Sequence, residues 1–318
     1  MNLLPRWFLI GALSTLVAGA GCAPVLVQRR PKLELPDRYT IVRDQLIIYA
    51  DFQVPARHRL LDELTARRAD LRRQLAFASS DEPIHVYLFQ DADRFQQYVR
   101  SEHPEFPDRR AFFVETDTRL EVYAQWGGHV GEDLRHEVTH AYLHAVLPNI
   151  PLWLDEGLAE YFEVPRGRHG LNREHLESLV NGGLAPDLAR LEALDPETHL
   201  NQAQYAECWA WTHFLLESGD PTRDLLREYL YRLDHDGSTV PLSSRMTWRL
   251  NATAAQLNAQ LADHLLRTAN AAGLTRASTA PAPDIQTLAP PVSSASLGIA
   301  TGISSPGSGH RSVPSGRR

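Results

Sequence analysis

The sequence predicts an α+β fold, and three observations lead to it. Up to about residue 125, short apolar runs suited to strands alternate with two helical patterns. An amphipathic helix carrying His136-Glu137-Val138-Thr139-His140 follows, and beyond Pro165 every patterned segment has a helical period.

Taken in order, Ile41-Val42 and Leu46-Ile47-Ile48-Tyr49 flank Asp44-Gln45 and read as a hairpin. A helix from about Ala56 to Ala76 comes next, with Leu60, Leu64, Leu71 and Leu75 on one side. Ile84 to Phe89 is a strand, Ala92 to Arg100 a helix, and Ala111–Val114 with Leu120–Tyr123 a second hairpin. Glu132 and Asp133 place acid in the first turn of the following helix, Leu134, Val138 and Leu147 supply its apolar positions, and Pro148 stops it. Pro151 and Pro165 bracket another helix. Five more are expected at about Arg173–Val180, Pro186–Leu194, Gln202–Ser218, Pro221–Leu233 and Thr253–Leu266, the last with Leu257, Leu261 and Leu265 as a buried stripe.

The H-E-x-x-H run carries the chemistry. Residues four apart share a helix face, so His136 and His140 can present two imidazoles to one metal ion, with Glu137 beside the ion as a proton acceptor. A catalytic site needs a third protein donor and an open position. Glu156, sixteen residues after His140 and on the next helix, is the natural choice. Asp155 is turned about 100° away around that helix. His144 lies about 12 Å along the axis from His136, too far to share its ion, and reads as structural or as wall lining.

His136-Glu137-Val138-Thr139-His140 followed by Pro151-Leu152-Trp153-Leu154-Asp155-Glu156-Gly157-Leu158-Ala159-Glu160-Tyr161-Phe162 resembles the gluzincin clan of metallopeptidases. Within it the segment is most similar to bacterial peptidase-MA-like domains, and more distantly to aminopeptidase N and thermolysin relatives. The resemblance spans roughly residues 37–270. It implies a zincin-like fold, with a small mixed sheet and helices above the zinc helix and an all-helical lower half. It implies Zn2+ held by His136, His140 and Glu156, Glu137 as general base, and Glu160 orienting His136 from behind. It also implies a peptide or protein substrate aligned along the sheet's edge strand, which chain position makes Leu120–Ala124. The segment from Asn201 to Leu215 resembles the clan's later helix, where Tyr205 is the expected oxyanion donor, with Tyr161 and His213 as alternatives. Two other readings stay open: a catalytically silent, zinc-stabilised envelope scaffold or binding protein, and a zinc hydrolase of a non-peptide envelope amide.

Composition bounds the rest. The 318 residues carry a formal charge of −7. Because Arg6 and the tail are net basic, the body between them is more acidic still, which argues against nucleic-acid binding. Arg6, the apolar stretch Trp7 to Ala20, and Ala18-Gly19-Ala20-Gly21 before Cys22 read as a signal peptide over 1–21. The cleavage site resembles that of a bacterial lipoprotein, implying a lipid on Cys22 and a cell-envelope address at the outer membrane, with plain secretion as the alternative. Cys208, the other of the two cysteines, reads as a buried apolar residue. Residues 22–36 form a basic spacer, 37–165 the sheet and zinc-helix part of a catalytic domain, 166–272 its helical part, and 273–318 a tail rich in Ser, Pro, Ala and Gly. Oligomeric state is not legible.

Overall fold

A computed structural model describes residues 34–274, apart from 79, 105, 107, 108, 184, 185, 238 and 239. The expectations for the signal peptide, for Cys22 and most of its spacer, and for nearly all of the tail lie outside the described residues. Within them the chain is α+β: one five-stranded mixed sheet and ten helices.

The sheet is built before the H-E-x-x-H helix. Strands β1 (Tyr39–Arg43) and β2 (Leu46–Ala50) form the expected hairpin, and Asp44 turns it with a positive φ of 51°. Asx side chains tolerate that left-handed conformation better than most. Helix α1 (Arg59–Leu75) starts where the His58 imidazole caps the Leu60 amide, and ends at a left-handed Ala76. Strand β3 (Ile84–Phe89) pairs parallel with β2; helix α2 (Ala92–Glu102) then leads to the hairpin of β4 (Ala111–Thr116) and β5 (Arg119–Gln125).

The order in the sheet is β1-β2-β3-β5-β4, which corrects the expectation that Leu120–Ala124 forms the edge. The crossover through α2 lets β5 pair parallel with β3, so β5 is internal and β4 takes the edge. Side chains alternate across this sheet. Val86, Leu88, Val122, Ala111 and Phe113 join the main core, whereas Tyr87, Phe89, Phe112 and Tyr123 pack beneath α2 as a separate aromatic cluster.

Helix α3 (Val130–His144) carries the H-E-x-x-H motif and packs on β4 and β5; α4 (Leu152–Glu163) packs against it. The helical remainder comprises α5 (Arg173–Asn181), α6 (Leu188–Glu192), α7 (Gln202–Glu217), α8 (Asp220–Asp236), α9 (Leu242–Arg249) and α10 (Ala254–Ala271). The sequence pattern missed α9. Its helical stretch is short and Ser-rich, and its first turn is capped from outside its own sequence: the Glu192 carboxylate accepts from the Leu242 and Ser243 amides at 2.5 and 3.2 Å. Among the described residues no helix is long and apolar enough to cross a membrane.

Candidate metal centre

Helices α3 and α4 bring three donors to one point. His136 and His140 stand one turn apart on α3, and Glu156 projects from the first half of α4. Each Nε2 lies 3.6 Å from Glu156 Oε2, and the three donor atoms fall within 4.8 Å of one another. Donors on a tetrahedral ion with bonds of about 2.0 Å sit roughly 3.3 Å apart, so this spacing is close to that of a bound ion.

Satisfaction of hydrogen bonds points the same way. Both Nε2 atoms, both Glu156 carboxylate oxygens and Glu137 Oε2 are buried with no hydrogen-bond partner. Such groups cost roughly 1–3 kcal/mol each when left unpaired, and a cation at their focus would satisfy them together. The buried His and Glu side chains can thus hold a metal ion.

Each ring is braced on its far side. His136 Nδ1 is 3.0 Å from Glu163 Oε2, which corrects the assignment of that role to Glu160. The Glu160 carboxylate is taken by His175 Nε2 of α5 at 2.8 Å, while Asn172 donates to Glu163 at 2.9 Å and reaches Glu160 at 3.4 Å. Position i+7 from Glu156 shares its helix face as closely as i+4 does, and α5 claims the nearer residue. Glu160 stays within 4.8 Å of the His136 ring, but its carboxylate is hydrogen-bonded to His175 and not to His136. His140 Nδ1 lies 2.9 Å from Asp155 Oδ1, although the ring is not aimed squarely enough to make that contact a hydrogen bond. His144, read as structural, is held between Glu115 and Asp155.

The electrostatics follow from burial among charges. Burial pushes the Glu137 carboxyl up to about 7, against the pull of His136, His140 and Arg109. Burial alone would lower His136 and His140, but the surrounding carboxylates win: Glu156 and Glu163 raise His136, and Asp155 with Glu156 raises His140 to about 10. The same carboxylates that favour imidazolium favour a divalent ion in its place.

The site opens on a cavity of about 460 Å³ whose lining includes His136, Glu137, His175, Gln202 and Tyr205. Tyr205, from the first turn of α7, is therefore brought to the same cavity as the motif, whereas the alternatives Tyr161 and His213 do not line it. Tyr161 donates to Glu217, and His213 pairs with His264. One charged residue went unnoticed in the sequence. Arg109, just before β4, is buried beside the Phe106 ring, its Nη1 has no partner, and its charge interacts with Glu137, Tyr205 and Glu156. Nothing in a lone arginine within a loop signals this placement.

Comparison with protein families and with curated proteins found no match for this chain.

Proposed function

We propose that this protein is a zinc-dependent metallopeptidase of gluzincin type, which hydrolyses peptide bonds with Glu137 as general base. The observation that carries the reading is the convergence of His136 Nε2, His140 Nε2 and the Glu156 carboxylate, all buried and unpartnered, beside an equally unpartnered Glu137 Oε2. Two imidazoles and one carboxylate are the donor set of hydrolytic zinc sites, and they leave a coordination position open. The α+β architecture, with a mixed sheet ahead of the zinc helix and helices beyond it, is compatible with a zincin-like arrangement.

Zinc bound there would supply Lewis acidity, lowering the pKa of a water toward about 7. Glu137 would then accept the proton of the attacking water and return it to the leaving amine. Burial works to hold the Glu137 carboxyl above the usual carboxylate range, which favours a group that both takes up and returns a proton. Tyr205 would face the substrate across the cavity and donate toward the carbonyl oxygen as it gains charge. The cavity, open beside Glu137, would receive the chain flanking the scissile bond, and the free edge of β4, rather than β5, would be the place to align an extended peptide. A lipid on Cys22 would hold the enzyme at the bacterial outer membrane.

Elemental analysis and a broad peptide library test this together. About one zinc per chain is expected, lost in Glu156→Ala. Glu137→Gln should keep the zinc and lose cleavage by about 10²- to 10⁴-fold. Absence of zinc after reconstitution would refute the reading; bound zinc with no cleavage of any library member would instead support the scaffold.

A further inference from the structure

Of the three candidate donor sets among the described residues, which include His136 with Glu160 and Glu163, two meet at His140. One is His136, His140 and Glu156; the other is His140, His144 and Asp155, and in each the donor atoms lie within 4.8 Å of one another. The sets share His140, whose Nε2 faces Glu156 while its Nδ1 faces Asp155. Asp155 and Glu156 are adjacent, both carboxylates and both fully buried. Something must decide which of the two serves a metal.

The decision is built outside the donor set. His144 Nδ1 is 2.6 Å from Glu115 Oε2, and its Nε2 is 3.1 Å from Asp155 Oδ2. With a carboxylate oxygen at hydrogen-bond distance from each nitrogen, both nitrogens are engaged and neither is free to serve an ion. Asp155 is held through Oδ2 by His144, while its Oδ1 stands 2.9 Å from His140 Nδ1 without making a hydrogen bond. Glu115 belongs to β4, two residues from Phe113 on the same face, and the Phe113 ring lies over both His144 and His140 at centroid separations of 5.1 and 6.3 Å. Phe113 and Asp155 are both fully buried.

We propose that Glu115 and His144 are positioning residues that hold Asp155 against His140 and out of the metal's coordination sphere, so that Glu156 alone completes the donor set. The inference rests on the metal-site reading above. Without His144, both Asp155 carboxylate oxygens are buried with no hydrogen bond, and a cation held by the neighbouring Glu156 and His140 would draw them.

Cobalt(II) titration of the whole protein tests this without a substrate. Four-coordinate cobalt gives intense visible bands and five-coordinate cobalt weak ones, so geometry is read directly. The wild type should bind one cobalt with the intense spectrum. His144→Leu should lose band intensity as Asp155 enters the sphere, with cobalt affinity down about 10- to 100-fold. Glu115→Gln should shift the same way by less, and it decides the matter if His144→Leu does not fold. Adding Asp155→Asn to His144→Leu should restore the intense spectrum without restoring thermal stability, which a purely structural role would not do. Spectra and affinities of both single variants superimposable on wild type would overturn the proposal while leaving the metal site standing. A wild type that binds no cobalt would overturn both.

Discussion

Gly157 follows Glu156 where α4 packs against Cys208 and Thr212 of α7, and alanine there is a sharp test of how tightly the candidate metal site is clamped. A methyl group at this position would stand 2.3 Å from Thr212 Oγ1 and 2.5 Å from the Cys208 carbonyl oxygen. An ordinary contact needs about 3.5 Å. The threonine hydroxyl can turn away, but the Cys208 carbonyl is part of the α7 backbone, so the two helices must part by about 1 Å. In an open helix, glycine to alanine stabilises by about 1 kcal/mol. Overpacking a filled interface costs roughly 1–3 kcal/mol, and an obstacle made of backbone belongs at the upper end. The net expectation is a destabilisation of about 1–2 kcal/mol, with the sign opposite to helix propensity. Because Glu156 is the neighbouring residue and metal–donor distances tolerate only about 0.2 Å, zinc affinity should fall as well. Urea denaturation of Gly157→Ala, with the slope unchanged, measures the first effect and competitive zinc titration the second. A variant as stable as wild type, with unaltered zinc affinity, would refute the claim that α7 clamps the ligand helix.

Metal removal should lower stability, since the folded chain alone gathers the three donors; zinc at a hundredfold over its dissociation constant contributes about 2.7 kcal/mol, and a melting temperature unmoved by chelator and re-added zinc would contradict this. Glu163→Gln should weaken zinc binding by about 10- to 100-fold and Glu160→Gln by distinctly less, because Glu163 is the carboxylate against His136; equal losses would return Glu160 to the role. The buried His213–His264 pair, 2.9 Å apart, predicts an acid-sensitive fold. Burial, with the neighbouring imidazole, lowers His213 to about 3, and burial with Arg267 lowers His264 to about 4. The unfolded chain then binds more protons below about 6.5, so stability is full above that pH and falls as pH drops, by up to roughly 2 kcal/mol per histidine between pH 7 and 5. Because His136, His140 and Glu137 are shifted upward and act in the opposite sense, the pair is read by difference: between pH 7 and 5 His264→Leu should lose less stability than wild type, or gain more, and an identical pH dependence in the two proteins would place the acid sensitivity elsewhere.

The order of elements was largely legible from local pattern. Asp44-Gln45 between two β-rich runs marks a hairpin, and Pro148, Pro151 and Pro165 bound α3 and α4, because turn chemistry and periodicity are properties of neighbouring residues. The same holds for His136, Glu137 and His140, whose shared face follows from helical spacing alone, and for Glu156, which needs only one further short helix. What stayed hidden depends on residues distant in sequence. Helix α9 is capped by Glu192, some fifty positions earlier. Sheet order turns on a parallel pairing of β3 with β5 that no local signal encodes.

By itself, then, the sequence determined an α+β chain with two histidines and two carboxylates, Glu137 and Glu156, on two successive helices. Tertiary structure alone decided which groups stand behind them: Glu163 rather than Glu160 against His136, Asp155 against His140, and Arg109 near Glu137. The physical reason is one of range. Helical periodicity sets which side chains share a face, whereas the partner each one finds is set by whichever element packs opposite. That is α5 for Glu160 and β4 for His144, and both are reached only when the chain closes on itself.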